Sequence, residues 1–188
     1  MSDILNKRKI TKFTIFLITV FYFLSLKYQG VLLEHFALVG SNYAEHTDFY
    51  RFFTVALLHA NFTHYLFNAL ALYQLGSIIE VRLNDSKFFL LFMSMTLLFS
   101  SLASWLFMKP NGASVGASGM IFGFLGYFYL IHKEYRVSST WLNFILLFNL
   151  SMPFFIKSID YRAHLGGLFS GIIVGKILEH YIKNKKNS

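Results

Sequence analysis

Residues 111–131 read NGASVGASGMIFGFLGYFYLI, and this stretch decides the class of fold. A segment of small residues leads directly into an apolar run, which predicts a membrane-spanning helix over Val115–Ile131. A surface helix of a soluble protein shows a polar face, but no charged residue occurs anywhere in 111–131. The stretch therefore predicts a helix with apolar surroundings on all sides.

Similar runs recur along the chain, each close to the ~20 residues needed to cross the hydrocarbon of a bilayer. The chain of 188 residues is 14% charged, whereas soluble domains carry about 25% charged residues. We therefore predict an all-α membrane protein, a six-transmembrane-helix bundle in a single domain (1–188) with short basic tails at 1–9 and 183–188. The predicted spans are Ile10–Leu26, Phe53–Ile79, Phe88–Phe107, Val115–Ile131, Trp141–Ile156 and Ala163–Ile182.

The net charge of +8 predicts orientation rather than nucleic-acid binding, because the Lys and Arg residues gather at the ends of the apolar runs. With an even number of spans, 12 of the 17 basic residues fall on the side of the two termini. Since basic residues collect beside cytoplasmic helix ends, both termini are expected in the cytoplasm. No small-residue cleavage site follows the first run, so we expect an uncleaved span. A small chain without a targeting extension is expected in a bacterial plasma (inner) membrane.

The segment Lys27–Tyr50 is the longest predicted connection, and it lies on the outer side. It mixes apolar residues with charged ones such as Glu34, Glu45 and Asp48. Two interpretations stay open: an amphipathic structure in the membrane interface, or an ordinary exposed loop.

The second span contains polar residues at membrane depth, where such groups are costly and usually face a bundle interior or a water-filled cavity. His64 and Asn68 are four residues apart, so on a helix they share one face and can direct two donors to one point. The alternative is a structural role, because His and Asn also form hydrogen bonds between membrane helices.

The stretch 111–119 contains a candidate nucleophile, Ser118, which lies between Ala117 and Gly119 without bulky neighbours. The small residues allow a substrate to approach the backbone closely. The following helix N-terminus has unpaired N–H groups that can stabilise an oxyanion. Gly119 and Gly123 also form a G-x-x-x-G pair, which membrane helices use for close packing.

The sixth span contains a candidate base, His164, beside small residues that recur every four positions: Ala163, Gly167, Gly171 and Gly175. If this face packs against Gly119 and Gly123, the two backbones come close enough for Ser118 and His164 to form a hydrogen bond. Under the predicted topology, His64, Ser118 and His164 also lie at similar depth near the outer ends of their spans.

These motifs together resemble the rhomboid family of intramembrane serine proteases. The resemblance rests on His64-x-x-x-Asn68, Gly116-x-Ser118-Gly119 and Ala163-His164-x-Gly166-Gly167, in that order on the second, fourth and sixth spans. Glu80-x-Arg82 and Arg51 also fit the layout of the family. The resemblance implies a catalytic Ser118–His164 dyad, an oxyanion hole formed by His64, Asn68 and the Ser118 N–H, and no cofactor or metal. It also implies transmembrane protein substrates in the lipid bilayer, and that Lys27–Tyr50 resembles the membrane-associated first loop of the family.

The chain departs from the family at two points. Many relatives have Tyr four residues after the serine, where this chain has Phe122. The chain is also expected to lack the soluble N-terminal domain and the seventh span of some relatives. Asp160, four residues before His164, is a formal candidate for a third triad member, but we expect it to lie beyond the start of the helix.

Three alternatives use the same residues differently. A metalloprotease or metal transporter would use His59, His64 and His164, although the chain has no H-E-x-x-H motif. A non-proteolytic rhomboid-like protein would bind transmembrane clients without cleaving them. A small-solute transporter is disfavoured because paired charges at mid-membrane are absent from the predicted spans. The sequence indicates no nucleic-acid partner and assigns no oligomeric state.

Overall fold

The computed structural model describes residues 8–42, 48–156 and 159–187, and it is predominantly helical in these ranges. Two short antiparallel strands pair Leu38 with Ser114 and Val39 with Ala113. The helices are α1 (Lys9–Phe36), α2 (Arg51–Thr54), α3 (Phe62–Ala71), α4 (Ser77–Leu83), α5 (Ser86–Leu106), α6 (Ser118–Ile131), α7 (Ser139–Phe155) and α8 (Tyr161–Asn187). The strands are β1 (Leu38–Val39) and β2 (Ala113–Ser114), and 3₁₀ turns cover Val55–Leu57 and His132–Tyr135.

Three of these helices, α1, α5 and α8, are long and apolar enough to cross a membrane. Helix α1 exceeds its predicted span, because it continues through a non-helical residue, Tyr28 (φ −119°, ψ 30°), as far as Phe36. The predicted connection Lys27–Tyr50 is therefore helical at its start and then forms β1. Glu45, in the same segment, lies outside the described residues.

The predicted span Phe53–Ile79 is not one helix, and this part of the prediction was wrong. Helix α2 and its 3₁₀ turn end at Leu57, the backbone is extended at Leu58 (φ −95°, ψ 147°), and α3 begins at Phe62. Asn61 caps α3, since its side chain accepts a hydrogen bond from the His64 N–H at 2.9 Å. A π-helical turn, Leu72–Gly76, joins α3 to α4.

Helix α6 is the central element, and every residue from Gly119 to Phe128 is buried. Its small residues face those of α8, which is the packing that a Ser118–His164 hydrogen bond was expected to require. A Cβ added at Gly167 would lie 1.9 Å from the Gly119 carbonyl oxygen, and one added at Gly171 would lie 1.9 Å from the Gly123 carbonyl oxygen. Only glycine permits the two backbones to approach this closely, and the close approach places the first turns of α6 and α8 side by side.

The outer surface of the bundle exposes many large apolar side chains. Helix α7 exposes Trp141, Phe144 and Leu147, and α1 exposes Phe13 and Phe16, each by more than half. Soluble monomers rarely show apolar patches of this size. Together with the three long apolar helices, this surface identifies an integral membrane protein.

The end of the bundle opposite the start of α6 is held by charged groups. Glu80 accepts hydrogen bonds from the backbone N–H groups of Ile10 and Thr11, both at 2.9 Å, and so caps α1. Arg82 pairs with Glu134 at 2.6 Å and with Glu179 at 2.9 Å, which links α4, the turn after α6 and α8. The predicted Glu80-x-Arg82 motif therefore joins helices in the described chain.

Candidate active site

Ser118 and His164 lie within hydrogen-bonding distance, with Ser118 Oγ 2.9 Å from His164 Nε2. Ser118 is the first residue of α6, and His164 lies in the first turn of α8. The glycine contacts bring them together, because Gly119 leaves room for Ser100 and for the carbonyl oxygen of Ala163. A hydroxyl and an imidazole at this distance can exchange a proton.

Phe122 fixes the plane of the imidazole. Its ring stacks on the ring of His164 with centroids 4.1 Å apart and an interplanar angle of 11°. Phe122 lies one helical turn after Ser118 on α6, so one helix supplies both the hydroxyl and the stacking surface. Stacking uses the face of the ring and needs no hydroxyl, so Phe122 makes this contact at a position where many relatives have Tyr.

In the part of the chain that the structure describes, no acidic side chain forms a hydrogen bond with the other imidazole nitrogen of His164. Nδ1 is buried and has no hydrogen-bond partner among the described residues. Asp160 precedes the first residue of α8, as expected, and accepts hydrogen bonds from Ser104 and Arg162 instead. The geometry is that of a pair, Ser118 and His164, rather than a triad.

His64 faces the same space from α3. A Cβ added at Gly116 would lie 2.7 Å from His64 Nε2 and 3.8 Å from Ser118 Oγ, so both atoms border one small region beside Gly116. The Ala60 N–H donates to His64 Nδ1 at 3.4 Å, which leaves the proton of a neutral ring on Nε2. His64 can therefore donate a hydrogen bond into the region next to Ser118.

Gly116, the first residue of the Gly116-x-Ser118-Gly119 motif, has a conformation and contacts that the sequence did not indicate. Its φ of +125° is strained for any residue with a side chain. Its N–H donates to the carbonyl of Val55 at 2.9 Å, which fixes the segment before Ser118 against the α2 region. The positive φ and the proximity to His64 both depend on tertiary structure.

Asn68 is buried on α3, one turn after His64. Its side-chain Nδ2 donates to the His64 carbonyl oxygen at 2.7 Å, which leaves the second amide hydrogen for another acceptor. The first N–H groups of α6, starting at Ser118, have no partner within their helix, as at any helix N-terminus. These groups and His64 are the donors from which an oxyanion hole could be formed.

The rings of His59 and His64 meet edge to face with centroids 5.1 Å apart. This contact supports the orientation of His64, a role for His59 that the sequence did not suggest. Within the described residues, no group of three or more His, Asp and Glu side chains is arranged to hold a metal ion.

Comparison with known proteins places these residues in a family. The rhomboid domain family matches residues 46–181 of the chain. Rhomboid protease GluP of Bacillus subtilis is 33% identical over 136 residues, which cover 70% of this chain and 26% of GluP. Putative rhomboid protease YdcA of the same species is 29% identical over 161 residues, covering 81% of this chain and 79% of YdcA. RHOMBOID-like protein 1 of Arabidopsis thaliana is 35% identical over 135 residues, covering 68% of this chain and 34% of that protein.

Proposed function

The chain belongs to the rhomboid family, and we propose that it is an intramembrane serine endopeptidase that cleaves transmembrane segments of other membrane proteins. In this proposal Ser118 is the nucleophile and His164 is its general base. The observation that carries the proposal is the 2.9 Å separation of Ser118 Oγ and His164 Nε2. Two relatives that cover much of this chain are named as proteases, GluP and, putatively, YdcA.

The reaction would proceed through an acyl-enzyme. Neutral His164 takes the Ser118 proton on Nε2 as Oγ attacks the scissile carbonyl carbon, and it then gives that proton to the leaving amine. In the second half, His164 takes a proton from water, the resulting hydroxide attacks the ester, and the proton returns to Ser118. Stacking on Phe122 keeps the imidazole aligned through both halves.

The developing negative charge on the carbonyl oxygen needs donors near Ser118. We assign this role to His64, Asn68 and the backbone N–H of Ser118. His64 Nε2 and Ser118 Oγ border the same region beside Gly116, which supports the assignment. Each aligned donor contributes roughly 3 kcal/mol to transition-state stabilisation.

The arrangement in the membrane is part of the proposal. We place the chain in six spans with both termini in the cytoplasm, as a single domain in a bacterial plasma membrane. The candidate site lies at the N-terminal ends of α3, α6 and α8, which this topology puts near the outer face. The substrate segment must unwind locally, because a helical peptide bond is shielded from attack.

The test is cleavage of a generic transmembrane substrate by the purified protein in liposomes, comparing the wild type with Ser118→Ala and His164→Ala. We expect cleavage by the wild type and none by either variant, while all three proteins keep the same thermal unfolding. If the wild type binds transmembrane segments but cleaves none of several substrates, the protein is a non-proteolytic member of the family and the proposal is wrong.

A further inference from the structure

The carboxylate of Asp160 joins the end of α5 to the start of α8. Asp160 lies just before α8, and its carbonyl oxygen accepts the His164 N–H at 3.3 Å. Its side chain accepts hydrogen bonds from Ser104 near the end of α5 and from Arg162 Nε at 2.8 Å.

A second contact joins the same two elements. Arg162 Nη1 donates to the carbonyl oxygen of Phe107 at 2.6 Å, where α5 ends. Asp160 lies four residues before His164, and α5 also packs on the first turn of α6, since a Cβ added at Gly119 would lie 2.6 Å from Ser100 Oγ. The carboxylate therefore holds the helix that carries the imidazole against α5, which also contacts the residue after Ser118.

The environment of Asp160 makes these contacts strong. Burial acts to raise the pKa of Asp160, but hydrogen bonds from Ser104 and Arg162 and the charge of Arg162 outweigh it and lower the pKa. The side chain is 15% exposed, and Ser104 is fully buried, so water competes little for the bonds. Hydrogen bonds to an ionised acceptor are about twice as strong as those between neutral groups.

We propose that Asp160 is a positioning residue, whose carboxylate sets the distance between Ser118 and His164 by tying the start of α8 to the end of α5. A direct part in proton transfer is ruled out by the contacts of His164, because its Nδ1 has no hydrogen-bond partner in the described chain. The inference rests on the proposed function of the Ser118–His164 pair.

The test compares Asp160→Asn and Ser104→Ala with a matched control, Ser101→Ala. Ser101 is also a buried serine of α5, but it donates to the carbonyl oxygen of Phe52 at 2.8 Å and has no bond to Asp160. Two quantities are measured: kcat and KM for a transmembrane substrate, and the rate at which a fluorophosphonate labels Ser118. Labelling reports the activation of the serine without any substrate.

Because Asp160 and Ser104 touch no substrate, their loss should lower kcat and leave KM unchanged. We expect Asp160→Asn to lower kcat and the labelling rate about 30-fold, and Ser104→Ala about fivefold, since small misplacements of reacting groups cost up to about 10²-fold. Ser101→Ala should stay within about twofold of wild type on both measures, and its loss of thermal stability should equal that of Ser104→Ala.

Two results would overturn the inference: kcat and labelling of both Asp160→Asn and Ser104→Ala close to wild type, or an equal loss in Ser101→Ala, which would mean a general effect of stability. If Asp160→Asn does not fold, the comparison of Ser104→Ala with Ser101→Ala decides. A wild type that labels at Ser118 but cleaves no substrate would contradict the proposed function. The labelling rates of the variants would still test the role of Asp160.

Discussion

Replacing Gly167 by alanine should separate the nucleophile from its base. A Cβ at this position would lie 1.9 Å from the Gly119 carbonyl oxygen, whereas ordinary Cβ contacts begin at 3.4 Å. The backbones of α6 and α8 must therefore move apart by about 1.5 Å, the difference between these distances, and a displacement of this size costs about 10²-fold in catalysis. Overpacking of this kind also destabilises a protein by about 1–3 kcal/mol.

Gly30→Ala is the matched control, because a Cβ at Gly30 meets nothing within 4 Å. We expect Gly167→Ala to lower kcat and fluorophosphonate labelling by about 10²-fold and Tm by roughly 2–10 °C, and Gly30→Ala to change neither. A Gly167→Ala protein with kcat within about threefold of wild type would refute the argument that close helix approach sets the Ser118–His164 distance.

Three further substitutions test separate contacts. His64→Ala should lower kcat by about 10²–10³-fold without a matching rise in KM, because it removes a donor to the oxyanion; kcat near wild type would remove His64 from that role. Phe122→Ala should lower kcat about tenfold through loss of the ring contact, whereas Phe122→Tyr should retain most of the wild-type kcat. Equal losses of kcat in both variants would show that stacking on His164 does not determine the rate. Arg82→Ala leaves the half-buried Glu179 without its cationic partner, and among the described residues only the Tyr127 hydroxyl still donates to it, so we expect Tm to fall by several degrees at unchanged kcat. A large fall in kcat at unchanged Tm would contradict a purely structural role.

Periodicity and residue type were enough to predict that the small-residue face of α8 packs closely on a neighbouring helix, and they made α6 a candidate for that neighbour. Glycine every four residues in 167–175 has few explanations other than close helix packing, and the Gly119 and Gly123 contacts confirm it. The proximity of Ser118 and His164 followed from that packing. His164 Nε2 lies 2.9 Å from Ser118 Oγ because two helix starts meet at a glycine contact.

The break before α3 was missed because 53–79 contains neither proline nor any Asp, Glu, Lys or Arg that would mark an interruption. The signal was nonetheless present: Asn61 is a favoured N-cap residue, and its side chain caps α3. The continuation of α1 to Phe36 was missed for the opposite reason. Lys27 and Gln29 indicated the end of the hydrocarbon-spanning part, but a helix can extend beyond the bilayer wherever other elements support it.

The contacts of Asp160 could not be read from the sequence at all. Ser104 lies 56 residues away from Asp160 along the chain, and no spacing links the two. The same holds for Gly116 and His64, which meet only when α3 packs beside the segment before α6. Long-range polar contacts of this kind depend on the assembled bundle, whereas the regular spacing of small residues can be recognised in the sequence of a single helix.

The measurement that tests the central claim most directly is the mass of the protein after reaction with a fluorophosphonate, which bonds to an activated serine hydroxyl with loss of fluoride. We predict one adduct on the wild type, mapped by peptide analysis to Ser118, and none on His164→Ala that retains the wild-type Tm. An adduct that forms equally well on His164→Ala, or a folded wild type that forms none, would contradict the claim that His164 activates Ser118.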